Sequence, residues 1–194
     1  MTNRLLRLPL LVAVALFAAT TLVACGGTGE PPTKHGDSEG SYIQAGPLIY
    51  QVQMSRELNP ANVEDAEYLQ GLAATTPRLA GDEEWFGVWL RVQNATKQAH
   101  VSANDFKIVD TTGAVYTPTA LPATNPFAYQ AVSVRSQDVV QPVQPDPESA
   151  AGSGPINGTM LLFKLRTSVY ANRPLELEIT PPNGGSPSSV VLDL

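Results

Sequence analysis

The chain has 194 residues, with 12 lysines and arginines against 18 aspartates and glutamates and a net charge of −6 at neutral pH. That acidic balance argues against nucleic acid, whose binding rests on basic patches that neutralise phosphate, and against a polybasic grip on anionic lipid. A single cysteine, Cys25, excludes an internal disulfide, so any core must hold by apolar packing, which a domain of about 150 residues can supply.

In chain order the first segment is "MTNRLLRLPLLVAVALFAATTLVAC". Arg4 and Arg7 give a basic start, Leu8 to Ala24 are apolar, and small residues precede Cys25, the layout of a secretory signal. The apolar run is about 17 residues, the lower limit for a helix that spans a bilayer. Three readings are open on this pattern: a cleaved and lipidated cysteine, an uncleaved signal anchor, or a small buried thiol. Leu22-Val23-Ala24-Cys25-Gly26 resembles the lipobox of bacterial lipoproteins. The resemblance implies diacylglycerol on the Cys25 sulfur and cleavage between Ala24 and Cys25, with residues 1–24 removed as signal peptide. Basic residues ahead of an apolar run stay cytoplasmic, so the chain after Cys25 is expected on the extracytoplasmic face of the cell membrane. A diacylated cysteine satisfies the need for more than one acyl chain in stable anchoring.

Residues 25–46 are expected to form the lipidated N-terminus and a flexible tether. "GGTGEPPTKHGDSEGSYIQAG" is rich in Gly, Pro, Ser and charge, and offers little to bury. A coil of that length spans roughly 25 Å. The folded domain is expected over residues 47–194.

Alternation of apolar and polar residues predicts strands. The first is "LIYQVQM" (48–54), and the strongest is "WFGVWLRVQN" (85–94), with Trp85, Gly87, Trp89 and Arg91 on one face and Phe86, Val88, Leu90 and Val92 on the other. Between them "NPANVEDAEYLQGL" predicts a short helix, with Asn62 as cap, Glu64 and Asp65 at its positive end and Gly71 as stop. "DFKIVD" and "AVYTP" follow, joined by a turn at Gly113. "QAVSVRS", "GTMLLFKL", "LELEIT" and "SVVLDL" complete the set. Short strands with Pro, Gly, Asn and Ser between them, and no βα alternation, predict an all-β antiparallel sandwich with one short helix. Trp85 and Trp89 on one face suit its core.

From Val92-Gln93-Asn94-Ala95-Thr96 through Phe106, Ile108, Asp110 and Gly113 to Gly158–Phe163 and Leu175–Leu177, the chain resembles the telokin- or immunoglobulin-like domains of unknown function in extracytoplasmic bacterial lipoproteins. The resemblance covers roughly residues 47–194 and implies an immunoglobulin-like sandwich. That family has no common catalytic site, so no functional residue is carried over.

The residues themselves supply little chemistry. His35 and His100 are far apart in sequence, and a metal site needs several convergent ligands. No Gly-x-Ser-x-Gly elbow and no phosphate-binding loop occur. Asn94-Ala-Thr96 and Asn157-Gly-Thr159 match a glycosylation sequon and read as turns. Glu64, Asp65 and Glu67, and Asp82, Glu83 and Glu84, form two acidic clusters that read as solvated faces; weak calcium binding is the other option, without EF-hand spacing. No catalytic, cofactor or metal residues are expected. The chain therefore reads as a non-enzymatic binding module of the cell envelope, meeting a protein partner through the loops Leu121–Tyr129 and Pro142–Pro155. The rival reading is a hydrolase of envelope polymers with an acidic site.

Overall fold

The computed structural model describes residues 31–72, 76–140 and 159–193, with backbone alone at 139–140. Ala24, Cys25, the signal segment and the Pro142–Pro155 loop lie outside the described residues.

Thirteen strands and one α-helix occur among the described residues, in the order β1 (His35–Gly36), β2 (Ile43–Ala45), β3 (Leu48–Leu58), α1 (Val63–Tyr68), β4 (Glu83–Gln93), β5 (His100–Val101), β6 (Asp105–Val109), β7 (Val115–Tyr116), β8 (Pro118–Thr119), β9 (Ser133–Val134), β10 (Val139–Val140), β11 (Thr159–Arg166), a 3-10 turn at Thr167–Ala171, β12 (Leu175–Thr180) and β13 (Ser188–Leu192). One sheet runs β2-β3-β4-β11-β8, with β10 also on β4, and the other runs β1-β13-β12-β6-β7. β5 and β9 pair separately. The pairing is antiparallel, apart from β1 alongside β13 and isolated bridges at Thr33–Ile43 and Ala128–Met160.

The core follows from the period-two pattern. Tyr50 and Val52 of β3, Phe86, Val88 and Leu90 of β4 and Phe163 of β11 pack against Phe106 and Ile108 of β6, Leu177 and Ile179 of β12 and Val190 of β13. These are the facing layers of a β-sandwich, as the alternation predicts. A register shift between Val52 and Met54 reverses the facing of β3 from there on. Met54 and Leu58 thus join the outer face of the sheet, and Ser55 and Glu57 the inner one.

Two expectations need correction. The first concerns Trp85 and Trp89, which are buried on the opposite face of the central sheet from the sandwich core. There they form a second cluster with Leu58, Tyr68, Met160 and Leu162. Both faces of β4 are apolar because both are covered, one by a sheet and one by α1 and the loop that contains Phe127.

The second concerns the tether. Residues 33–46 belong to the sandwich, although their composition reads as a coil. Ile43 and Ala45 are buried core residues. The Thr33 amide donates to Tyr42 O at 2.9 Å and the Gln44 amide to Thr33 O at 2.6 Å, while β1 pairs with β13. The Glu39 carboxylate accepts from the Ser55 hydroxyl, from the Ser55 amide and from the Asp193 amide. Polar sequence is held here by backbone bonds and one capping carboxylate, which leave no hydrophobic period to read. Thus the sandwich starts well before residue 47, with Thr33 the first stitched residue among those described.

Candidate functional site

The outer face of the central sheet carries the densest set of polar and aromatic groups. β3 and β4 lie side by side, with Arg56 opposite Gly87 and Leu58 opposite Trp85. Gly87 is required by close approach: a Cβ there would lie 2.6 Å from Trp89 Cη2. The indole folds over the glycine, and Tyr68 of α1 meets it edge-on with centroids 5.1 Å apart. Phe127 then packs on Tyr68 at 4.6 Å. Arg56 lies over both Tyr68 and Trp89 and pairs with Asp65 at 2.5 Å. Trp89 Nε1 has no hydrogen-bond partner among the described residues.

α1 forms where the sequence predicts it. The Asn62 side chain accepts from the Glu64 and Asp65 amides, and Gly71 adopts a left-handed φ of +74° beyond the helix. Asp65 points inward. Burial would raise its pKa, but the Arg56 hydrogen bond, the Asn59 amide and the Arg56 charge outweigh this and pull it below the usual carboxylate range.

Beside Trp85 an open cleft of about 330 Å³ is walled by Pro60, Leu72, Thr76, Pro77, Arg78 and Leu79. It joins apolar walls to one guanidinium and one hydroxyl, at the small end of the size range for ligand pockets.

The sequence-predicted sites fall as follows. In the Leu121–Tyr129 loop, Leu121 and Phe127 roof the tryptophan cluster. Buried Asn125 donates to Tyr68 O and Gln70 O, each at 2.9 Å. The loop is therefore a cover tied to α1, with Ala123, Thr124 and Pro126 exposed at its outer surface. Its sequence reads as an open recognition loop because those small and polar residues separate the anchoring ones.

The acidic clusters do not converge. Strand alternation splits Glu83 from Glu84. Glu83 faces outward, accepts from the Ala80 amide at 2.8 Å and pairs with Lys164 at 2.9 Å. Glu84 is buried on the inner face beside Glu57 and Tyr170. Glu64 and Glu67 are not buried, while Asp65 is buried against Arg56. Among the described residues, no three His, Cys, Asp or Glu side chains form a group able to hold a metal ion. His35, expected in the tether, sits on β1 with Nδ1 2.8 Å from Ser189 Oγ, and His100 lies on β5.

Asn94 ends β4 as a fully buried amide. Its nitrogen donates to Gln98 O and Val134 O, and its oxygen accepts from the Thr96 amide and hydroxyl. The Val-x-Asn-x-Thr pattern is thus a structural knot. The cleft beside Trp85 was missed in the sequence because its walls come from three separate segments.

No protein-family model and no curated protein matches the chain. Among solved structures, the yjhA protein of Bacillus subtilis aligns with a TM-score of 0.54 and 12% identity, over 81% of this chain and 99% of its own. An uncharacterised β-sandwich protein from Clostridium difficile aligns at 0.43 and 12%, over 87% and 100%. The candidate lipoprotein ycdA of Bacillus subtilis aligns at 0.48 and 15%, over 81% of this chain and 39% of its own. At 12% identity the likeness to the yjhA protein concerns the fold alone.

Proposed function

We propose that this chain is a lipid-anchored, extracytoplasmic sandwich of immunoglobulin-like type that binds a component of the cell envelope and catalyses no reaction. The observation that carries the reading is the order of parts along the chain. A basic start, an apolar run and Leu22-Val23-Ala24-Cys25 come first, and a β-sandwich is stitched in from Thr33. The cleft beside Trp85 is the surface this reading assigns to the partner, since aromatic and arginine groups beside apolar walls suit recognition.

The anchor is tested by intact mass of the protein from its native membrane, beside Cys25→Ala. The expected result is wild type cut before Cys25 and heavier by a diacylglycerol, with the variant keeping its signal. Wild type that keeps residues 1–24 without lipid overturns the anchor. For the partner surface, Arg78→Glu combined with Leu79→Asp should abolish crosslinks to envelope partners. An unchanged crosslinking pattern overturns the placement.

A further inference from the structure

Where β3 finishes and β4 begins, one carboxylate is not accounted for by its surroundings. Glu84 is 6% exposed, and its Oε1 has no hydrogen-bond partner among the described residues. A charged oxygen in that state is strongly disfavoured. β3 presents a second carboxylate to it, Glu57, and the 3-10 turn presents Tyr170, whose hydroxyl lies 3.4 Å from Glu57 Oε2 and also faces Glu84. The neighbouring cations are directed elsewhere. Arg166 acts on Glu83 and Tyr116, Lys164 pairs with Glu83, and Arg173 Nε donates to the Tyr170 carbonyl at 2.9 Å.

We propose that Glu84 keeps its proton in the folded protein, beside the Tyr170 phenol and the exposed Glu57 carboxylate, as a proton-operated latch that ties the Thr167–Ala171 turn to the ends of β3 and β4. With the proton in place, Glu84 is neutral and the phenol donates to the Glu57 carboxylate. Loss of that proton to solvent leaves two like charges around one phenol, one of them where water does not reach. The turn takes up this repulsion between its two tied ends, the Thr167 amide on Asp82 O and the Asn172 carbonyl on Thr111, because it joins β11 to β12 at the end of the sandwich and only Val169 within it is buried.

The electrostatics agree with the geometry. Burial pushes Glu84 upward and the Glu57 charge adds to this, against a hydrogen bond from Tyr170. Burial and both carboxylates push Tyr170 upward too, so the phenol keeps its own proton. A carboxyl whose folded pKa is raised stabilises the fold at low pH. That contribution is lost as pH rises from the unfolded carboxylate value, about 4.3, through the folded one. An extracytoplasmic address would expose the latch to external pH, but the latch does not depend on that address.

The test is hydrogen exchange of the 167–172 amides in the full-length protein between pH 5 and pH 8, corrected for intrinsic rates. Wild type should lose about tenfold in protection over that range. Glu84→Gln should keep the low-pH protection at both ends, and Tyr170→Phe should lack it at both. The same pH dependence in Glu84→Gln as in wild type overturns the proposal. So does recovery of protection at pH 8 on adding calcium, which would assign the pair to a cation. Should Glu84→Gln fail to fold, carbon-13 titration of the glutamate carboxyls in wild type decides. A carboxyl assigned to Glu84 that titrates above the normal range supports the latch, and a normal Glu84, whatever the half-buried Glu39 does, overturns it.

Discussion

The Arg56 guanidinium donates to the Asp65 carboxylate at 2.5 Å while lying over the rings of Tyr68 and Trp89, 5.9 and 5.6 Å from their centroids. The pair thereby joins α1 to the central sheet across the tryptophan cluster. Asp65→Ala leaves a partly covered guanidinium without its counter-charge and the Asn59 amide without its acceptor. Its expected cost is about 2–3 kcal/mol, between the exposed and buried limits for ion pairs, measured by urea unfolding. Because the folded pKa of Asp65 is lowered, its contribution is complete above about pH 4 and lost as pH falls through that lowered value. Asp65→Asn should flatten this acid limb.

Gly87→Ala should destabilise by about 1–3 kcal/mol, the usual cost of overpacking. The added methyl meets Trp89 Cη2, Trp89 Cζ3 and Met160 Sδ at 2.6, 2.8 and 3.1 Å. Near-ultraviolet circular dichroism should lose tryptophan signal along with stability. A Gly87→Ala protein with wild-type stability and spectrum would show that the indole does not lie over the glycine.

Asn94→Ala removes four hydrogen bonds at a fully buried site and takes the amide donor from the Val134 carbonyl, while Gln98 O keeps the Thr96 hydroxyl. The expected loss is about 3 kcal/mol. Asn94→Asp should cost at least as much at neutral pH, since a carboxylate cannot donate to those two carbonyls. Thermal unfolding of the two variants side by side checks both statements.

Asn125→Ala should release the Leu121–Tyr129 loop from α1 at a cost of about 2 kcal/mol, from two lost donors and one lost acceptor. Limited proteolysis should then cut within 121–129 before any other described segment. If the loop were an independent recognition element, the variant would keep wild-type stability.

Much of this was legible in advance. β12 coincides with "LELEIT", and β6 lies within "DFKIVD", because an alternating strand between two turns has one way to bury its apolar side. The Asn62 cap was legible for the same local reason. Three features were not. β1 and β2 are two and three residues long, too short for any period, and are held by main-chain bonds that carry no sequence signal. Trp85 and Trp89 share a face as expected, but with both faces of β4 apolar, alternation does not say which one meets the second sheet. The Glu57–Tyr170–Glu84 group draws on three elements distant in sequence. Its one sequence trace is Glu84 at two residues from Phe86, hence on the same face.

The stitching of Thr33 to β2 and of β1 to β13 has a mechanical consequence. The entering chain grips both sheets at their shared edge, so a pull from the N-terminal side meets this clasp before it meets the core. Its segments are very short, whereas β3 and β4 pair over most of 11 residues each. The clasp would therefore yield first. Peeling from Thr33 to Tyr42 would free about ten residues, roughly 35 Å of extended chain, with the sandwich around Phe86 and Leu177 still closed. Under such a pull this edge would turn force into added chain length before the core opened.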